Sequence, residues 1–389
     1  MLKDFLKDHS RKNELLKETY KLIHQHGPIS KISLIEKAEV KPTTMTRTIE
    51  ELLENKWIQE GGVGESSGGR PPILYKINES AAWIIGLDIS RMTVRIVLTN
   101  LHFTILERHS ITMTVYHSPD VVFKEVNMVI EKWLEQHRIS VDQLLGIGVG
   151  AVGPIHRGKG LITNPESFLA PGWERVNVIE RLAQFSVLVL VDNGANSAAV
   201  AEYVQHNEMY SNILYCISGF GIRGGVVSDG KVLYSNQGDT SAFGHVIVQA
   251  NGKVCLCGRE GCLSAYATFG AMVEEFGRMR GLAGVTFDQF LKAVQSGDTE
   301  AVQAAKKASF YYGVGLANMI NILRPELVVL HGSLIYDTSF FFEDTVRHTL
   351  EHAYIPDTSL IKFKKGSLRE DGISLGGAIQ VFQSNFREP

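Results

Sequence analysis

At 389 residues the chain is too long for one ordinary domain, and two or three are expected. Its 44% hydrophobic content supplies sizeable cores and excludes a disordered polypeptide, while a net charge of −3 excludes nucleic-acid binding by bulk charge alone. The opening Met-Leu-Lys-Asp-Phe-Leu-Lys-Asp is charged throughout and unlike a signal peptide, and no apolar run approaches the roughly 18–20 residues of a membrane span. A soluble, cytoplasmic protein without a membrane partner is expected, and four cysteines with three between residues 255 and 262 suit a reducing compartment.

Residues 1–80 carry 13 Lys/Arg against 12 Asp/Glu and the remainder 26 against 30, so DNA binding must rest on where the charges sit. In residues 13–26, Leu16, Tyr20 and Ile23 recur at helical spacing until Gly27-Pro28 ends the helix. Ser30 reads as the N-cap of a short helix over 31–38, with Leu34 and Ile35 inward. A turn over 39–41 leads to Pro42, which starts a longer helix to about Asn55. That helix buries Met45, Ile49, Leu52 and Leu53 and exposes Thr43, Thr44, Thr46 and Arg47. Helix, short helix, turn and longer helix is the helix-turn-helix order, whose second helix enters the major groove by its N-terminal residues. Threonine hydroxyls reach phosphates or bases, Arg47 can grip guanine, and Lys41 at the cap can meet phosphate. The strand, glycine-rich loop and strand from Trp57 to Ile77 then form a wing, with Arg70 projecting from Gly68-Gly69-Arg70-Pro71 toward a minor groove.

From Ile84 the pattern becomes β-rich segments with long helices. Strands are expected on either side of a turn at Asp88, over 145–150, over 187–192 ahead of a helix through Glu202, over 213–227 as a hairpin, and over 327–331 after a helix from Thr299 to Leu323. Leu375-Gly376-Gly377-Ala378 opens the last helix, and Cys216 in its apolar run reads as a buried strand residue. His245, Cys255, Cys257 and Cys262 form an H-x9-C-x-C-x4-C pattern. Thiolate and imidazole are the donors zinc prefers, Gly258 and Gly261 let the sulfurs converge, and four protein ligands make the site structural.

The zinc pattern, the turn at Asp88 and the segment Asp192-Asn193-Gly194-Ala195-Asn196 together resemble the ROK family of repressors, open reading frames and sugar kinases. The winged helix with Gly-Gly-Arg-Pro makes residues 11–385 similar to its xylose- and N-acetylglucosamine-type repressors. The resemblance implies an α/β fold: an N-terminal winged helix-turn-helix over 1–80, then a two-lobe actin/hexokinase-like (ribonuclease H-like) body with a zinc-binding loop. The small lobe would take 81–192 and about 373–389, and the large lobe 193–372 with the zinc loop at 245–262.

The family's kinases carry Asp-x-Gly-Gly-Thr, whose turn lets backbone N–H groups approach ATP phosphates. Here the turn is Asp88-Ile-Ser-Arg-Met92, and the second phosphate loop is Gly219-Phe-Gly-Ile-Arg223. The aspartate that serves the family as catalytic base is Gly194 here, and glycine cannot take a proton. No catalytic residue and no ATP are therefore expected. The family's sugar-contacting glutamates are replaced by Ala242 and Ser264, leaving Asn193 and His245, with Asn164 in the inter-lobe loop, as effector candidates. Either the effector differs from a plain sugar, or the body serves only as an assembly surface. The expectation is a repressor of carbohydrate genes, a homodimer or tetramer on a double-stranded operator, with a sugar-related effector. The rival is a sugar kinase with an accessory DNA module.

Overall fold

The computed structural model describes residues 2–8, 10, 13–65, 71–165, 168–207, 209–234 and 240–386. The N-terminal unit is built by local signals. Helix Glu14–His26 buries Leu16, Tyr20 and Ile23. The Ser30 hydroxyl accepts the Ser33 N–H at 3.1 Å and starts Lys31–Ala38. Glu39 in the left-handed region (φ 50°) ends it. Pro42 begins Pro42–Glu54, which buries Met45, Thr48, Ile49 and Leu52. Leu53 is only half-buried. Strands Ile58–Val63 and Ile73–Ile77 pair antiparallel, and the two-residue strand Ile29–Ser30 adds to the outer side of Ile73–Ile77.

One helix of this unit escapes the sequence pattern. Leu2–Lys7 buries Leu2, Phe5 and Leu6, and the Phe5 ring stacks on Trp57 at 4.1 Å. Six residues are too few to display a period above their charged neighbours. Lys17 is buried beneath it, and its ammonium donates to the carbonyls of Leu6 and, at 3.3 Å, Asn385. Both ends of the described chain are thus pinned by one side chain.

Two five-stranded sheets form the body. The first has spatial order Leu188–Asn193, Leu144–Ala151, Trp83–Ile89, Thr93–Thr99, Ile105–Thr112. The first three are parallel and the last two antiparallel extensions. The second sheet runs Lys231–Val232, Ile222–Ser228, Asn212–Ser218, Leu327–His331, Lys362–Lys365. Helices Gly194–Gln205 and Gly372–Ser384 cross at backbone distance. A Cβ on Gly376 would lie 1.8 Å from the Ser197 carbonyl oxygen, and one on Gly148 of the first sheet 1.9 Å from that of Gly377. The last helix starts at Gly372, three residues before the apolar pattern at Leu375, because its first turn begins on a weak helix former. Thr299–Leu323 has the expected bounds, started by Asp298, whose carboxylate accepts the Ala301 N–H at 3.0 Å. Among the described residues no helix is long and apolar enough to cross a membrane.

The N-terminal unit shares its core with the body. Leu16, Tyr20 and Ile23 pack in one cluster with Ala82, Ile84, Leu101, Leu145, Ala378, Val381 and Phe382. His24 closes the seam: its ring stacks on Phe382 at 4.2 Å, and Nε2–H donates to the Leu101 carbonyl at 2.8 Å. Burial pushes its pKa down to about 4. As pH falls the unfolded chain takes that proton first, near 6.5, so stability is full above about 6.5 and is lost toward about 4. His331, also lowered to about 4 by burial, acts in the same sense. A melting series from neutral pH down to pH ~4.5 should fall on the acid side. His24→Gln keeps a donor without the titration and should flatten that fall; an unchanged slope would contradict the assignment.

Candidate metal centre and inter-lobe cleft

The ligand atoms of His245, Cys255, Cys257 and Cys262 all lie within 4.8 Å of one another. Cys255 Sγ stands 3.7 Å from His245 Nδ1, and Cys257 Sγ stands 3.7 Å from Cys262 Sγ. Sulfurs about 2.3 Å from a central zinc in a tetrahedron stand about 3.8 Å apart, so the donors fit such an ion. The loop reaches this shape by a tight fold-back. Cys255 N–H donates to the Arg259 carbonyl at 2.8 Å, and Gly261 N–H to that of Lys253 at 2.9 Å. Gly258 and Gly261 take φ of 81° and 78°, and a Cβ on Gly261 would lie 1.8 Å from the Gln249 carbonyl oxygen. A hydrogen bond from the Arg259 N–H lowers the Cys257 thiol, whereas burial pushes Cys262 up to about 12.

The loop is anchored to two helices, Phe269–Arg280 and Thr299–Leu323. Glu275 receives Lys307 at 2.7 Å, Arg278 at 2.9 Å and Lys253 of the loop at 3.6 Å. The Arg278 hydrogen bond, aided by the lysines, holds its carboxyl at about 2. Tyr266 accepts the Lys253 N–H at 2.6 Å, and its ring stacks on Tyr311 at 4.1 Å.

The two turns that the family resemblance aligns with phosphate loops carry polar side chains. Asp88 is buried, accepts the Ser90 hydroxyl at 2.6 Å and lies 3.7 Å from Arg95; burial pushes it up to about 6. Nη1 of Arg91 and Nη2 of Arg223 lie 3.6 and 3.8 Å from where a Cβ on Gly221 would stand. A Cβ on Gly194 would lie 3.1 Å from Ile373 Cδ1, so a larger residue there would need that side chain to give by a few tenths of an ångström. Asp192 is saturated: Asn193 N–H at 2.7 Å, Asn196 at 3.0 Å, Tyr234 at 2.9 Å and Gln380 at 2.8 Å all donate to it.

The expected effector residues are not joined by any hydrogen bond among the described residues. Asn193 caps helix Gly194–Gln205, its Oδ1 accepting Ala195 N–H at 3.1 Å. Asn164 is exposed and makes no side-chain hydrogen bond among the described residues. Ala242 is exposed, and Ser264 spends its hydroxyl on the Gly244 carbonyl at 2.8 Å. Cys216 is fully buried, as its apolar run requires. Sequence reasoning missed Arg157, Tyr234 and Gln380, which gather on Asp192 from distant segments and leave no linear signal.

On the N-terminal unit Lys41, Thr43, Thr44 and Arg47 are exposed at the start of helix Pro42–Glu54. Thr46 departs from expectation. It is half-buried, because its hydroxyl bonds back to the Pro42 carbonyl at 2.9 Å and receives Lys31 at 3.4 Å. Arg70 lies outside the described residues.

Two sheets around crossed helices, with a Cys3His loop on one lobe, define the actin/hexokinase-like class of two-lobe bodies. The chain belongs to the ROK family, whose sequence model matches residues 84–384. It is 24% identical over 393 residues to the xylose repressor of Caldicellulosiruptor bescii, covering 97% of each chain. A solved ROK family transcriptional regulator, a homologue of the Escherichia coli MLC protein, superposes with a TM-score of 0.79 at 22% identity over 96% of both chains. The ROK hexokinase of Thermus thermophilus gives a TM-score of 0.66 at 23% identity over 78% of this chain and 98% of its own.

Loss of one sulfur breaks the tetrahedron. Cys257→Ser should lose the bound metal in elemental analysis and lower the melting temperature by several degrees. A variant that keeps both its metal and its melting temperature would remove this ligand set.

Proposed function

We propose that this protein is a sequence-specific DNA-binding repressor of carbohydrate-utilisation genes, with a body that senses a sugar-related effector and does not phosphorylate it. The observation that carries the reading is the N-terminal unit. Three helices in helix-turn-helix order and a two-stranded hairpin lie ahead of the body, with Lys41, Thr43, Thr44 and Arg47 exposed on the opening turns of the third helix. That unit, over about residues 1–80, is read as the winged helix, with Arg70 as its minor-groove residue. Residues 81–192 with 373–389 and residues 193–372 are read as the two lobes.

The lost chemistry supports the same reading. A phosphate cradle needs open backbone N–H groups, and here the guanidiniums of Arg91 and Arg223 lie beside Gly221 of the second turn. A base needs a free carboxylate at the sugar hydroxyl; position 194 has none, and Asp192 already accepts four hydrogen bonds. Zinc is the ion inferred at the Cys3His loop, where four ligands leave no open position, so its contribution is rigidity. The proposed assembly is a homodimer or tetramer that sets two recognition helices in successive major grooves. Effector binding changes lobe closure and, through the shared core, the spacing of the two winged helices.

Arg47→Ala should weaken binding to the duplex upstream of the protein's own gene by roughly tenfold or more, as loss of a good base contact costs about 1–3 kcal/mol. Fluorescence anisotropy with a labelled duplex reads the change. An unaltered affinity in a folded variant would exclude the third helix as the reading element.

A further inference from the structure

Two buried donors without an acceptor belong to residues that meet the same carboxylate, Asp192. Arg157 comes from the short turn Arg157–Lys159. Its guanidinium carbon lies 3.3 Å from the centre of the Tyr234 ring, and its Nε stands 3.5 Å from Asp192 Oδ1. That is an ion pair but not a hydrogen bond, and the buried Nε–H has no acceptor. Asn193, only 3% exposed, is the next residue in the chain. Its Oδ1 is spent on Ala195 N–H, while Nδ2 is buried without an acceptor. The Asn193 backbone N–H donates to the same Asp192 Oδ1 that Arg157 faces, at 2.7 Å.

Nothing within the described protein satisfies these donors. Asp192 cannot, because Asn193, Asn196, Tyr234 and Gln380 already occupy its oxygens. An unmatched buried donor forfeits its hydration without recompense, so two beside one carboxylate call for an acceptor from outside. The acceptors expected of a neutral-sugar site are absent, since positions 194, 242 and 264 are Gly, Ala and Ser. A neutral sugar brings hydroxyl protons that need carboxylates. An anionic group brings acceptors only, and guanidinium is its matched donor.

We infer that the surroundings of Asp192 bind an acidic monosaccharide, a sugar carrying a carboxylate or a phosphate monoester, whose anionic oxygens accept from Arg157 Nε–H and Asn193 Nδ2–H. Tyr234 and Asp192 are positioning residues: the ring face and the fixed negative charge hold the guanidinium in place. The inference deepens the repressor reading and rests on it only in calling the ligand an effector.

The test uses the full chain in phosphate-free buffer. Isothermal titration and melting temperature are measured with D-glucuronate and D-galacturonate, with glucose-6-phosphate, and with neutral glucose and xylose. At least one acid is expected to bind and raise the melting temperature, with its neutral parent at least tenfold weaker. The carboxylate and phosphate arms identify which anion the site takes. Arg157→Gln should weaken that acid at least tenfold, and Asn193→Ala should weaken it in the same direction. Should Arg157→Gln fail to fold, Arg157→Lys keeps the charge without the fork and should still lose affinity for the acid. No response to any acid, a neutral sugar bound as tightly as its acid, or an acid affinity indifferent to both Arg157 variants would each overturn the inference. Operator binding is measured on the same preparation. Its absence would remove the repressor reading alone, and its presence without an acid response would remove this inference alone.

Discussion

The structure depends on how closely helix Gly372–Ser384 can approach its neighbours. Gly377 meets Gly148, Gly376 meets Ser197, and Ser374 meets Gly86, each near enough that a Cβ on the glycine would lie about 2 Å or less from a carbonyl oxygen. No side-chain adjustment relieves such a contact, because both partners are backbone. The N-terminal half of the helix thereby bears on the first sheet and on helix Gly194–Gln205. Its C-terminal half, through Val381 and Phe382, enters the core that holds Tyr20 and Ile23 of the N-terminal unit. Residues 78–82 are all that separate strand Ile73–Ile77 from strand Trp83–Ile89. Because the two parts share a core, a change of angle between the lobes has a direct mechanical route to helix Pro42–Glu54.

The body keeps the actin/hexokinase-like frame. Side-chain contacts knit the turns that the family resemblance aligns with phosphate loops. Arg91 and Arg223 approach Gly221, Asp88 is buried under Ser90 and Arg95, and Ile373 packs over Gly194. Asp192 is a structural hub. Beside it, Arg157 Nε and Asn193 Nδ2 are buried without acceptors among the described residues.

What was legible in the sequence was local. The metal loop could be read because its four ligands fall within eighteen residues and its glycines mark the turns. Helix Lys31–Ala38 could be read from Ser30, which accepts the Ser33 N–H. The hub at Asp192 could not: Arg157, Tyr234 and Gln380 reach it across dozens to nearly two hundred residues, and none carries a motif. The burial of Lys17 under Leu2–Lys7 was equally hidden, since a lysine reads as solvent-facing until its two carbonyl partners are known. Thr46 reads as exposed from its helical position, but its hydroxyl satisfies itself on the preceding turn.

The central claim is that the N-terminal unit binds duplex DNA through phosphate and base contacts although the whole chain is acidic. The most direct measurement is the affinity of the purified protein for its own upstream duplex as salt is raised from about 50 to 200 mM. The account predicts a straight fall of log affinity against log salt, with a slope of several units, and tighter binding than to a scrambled duplex of equal length. No binding at low salt, or equal affinity for both duplexes, would contradict it.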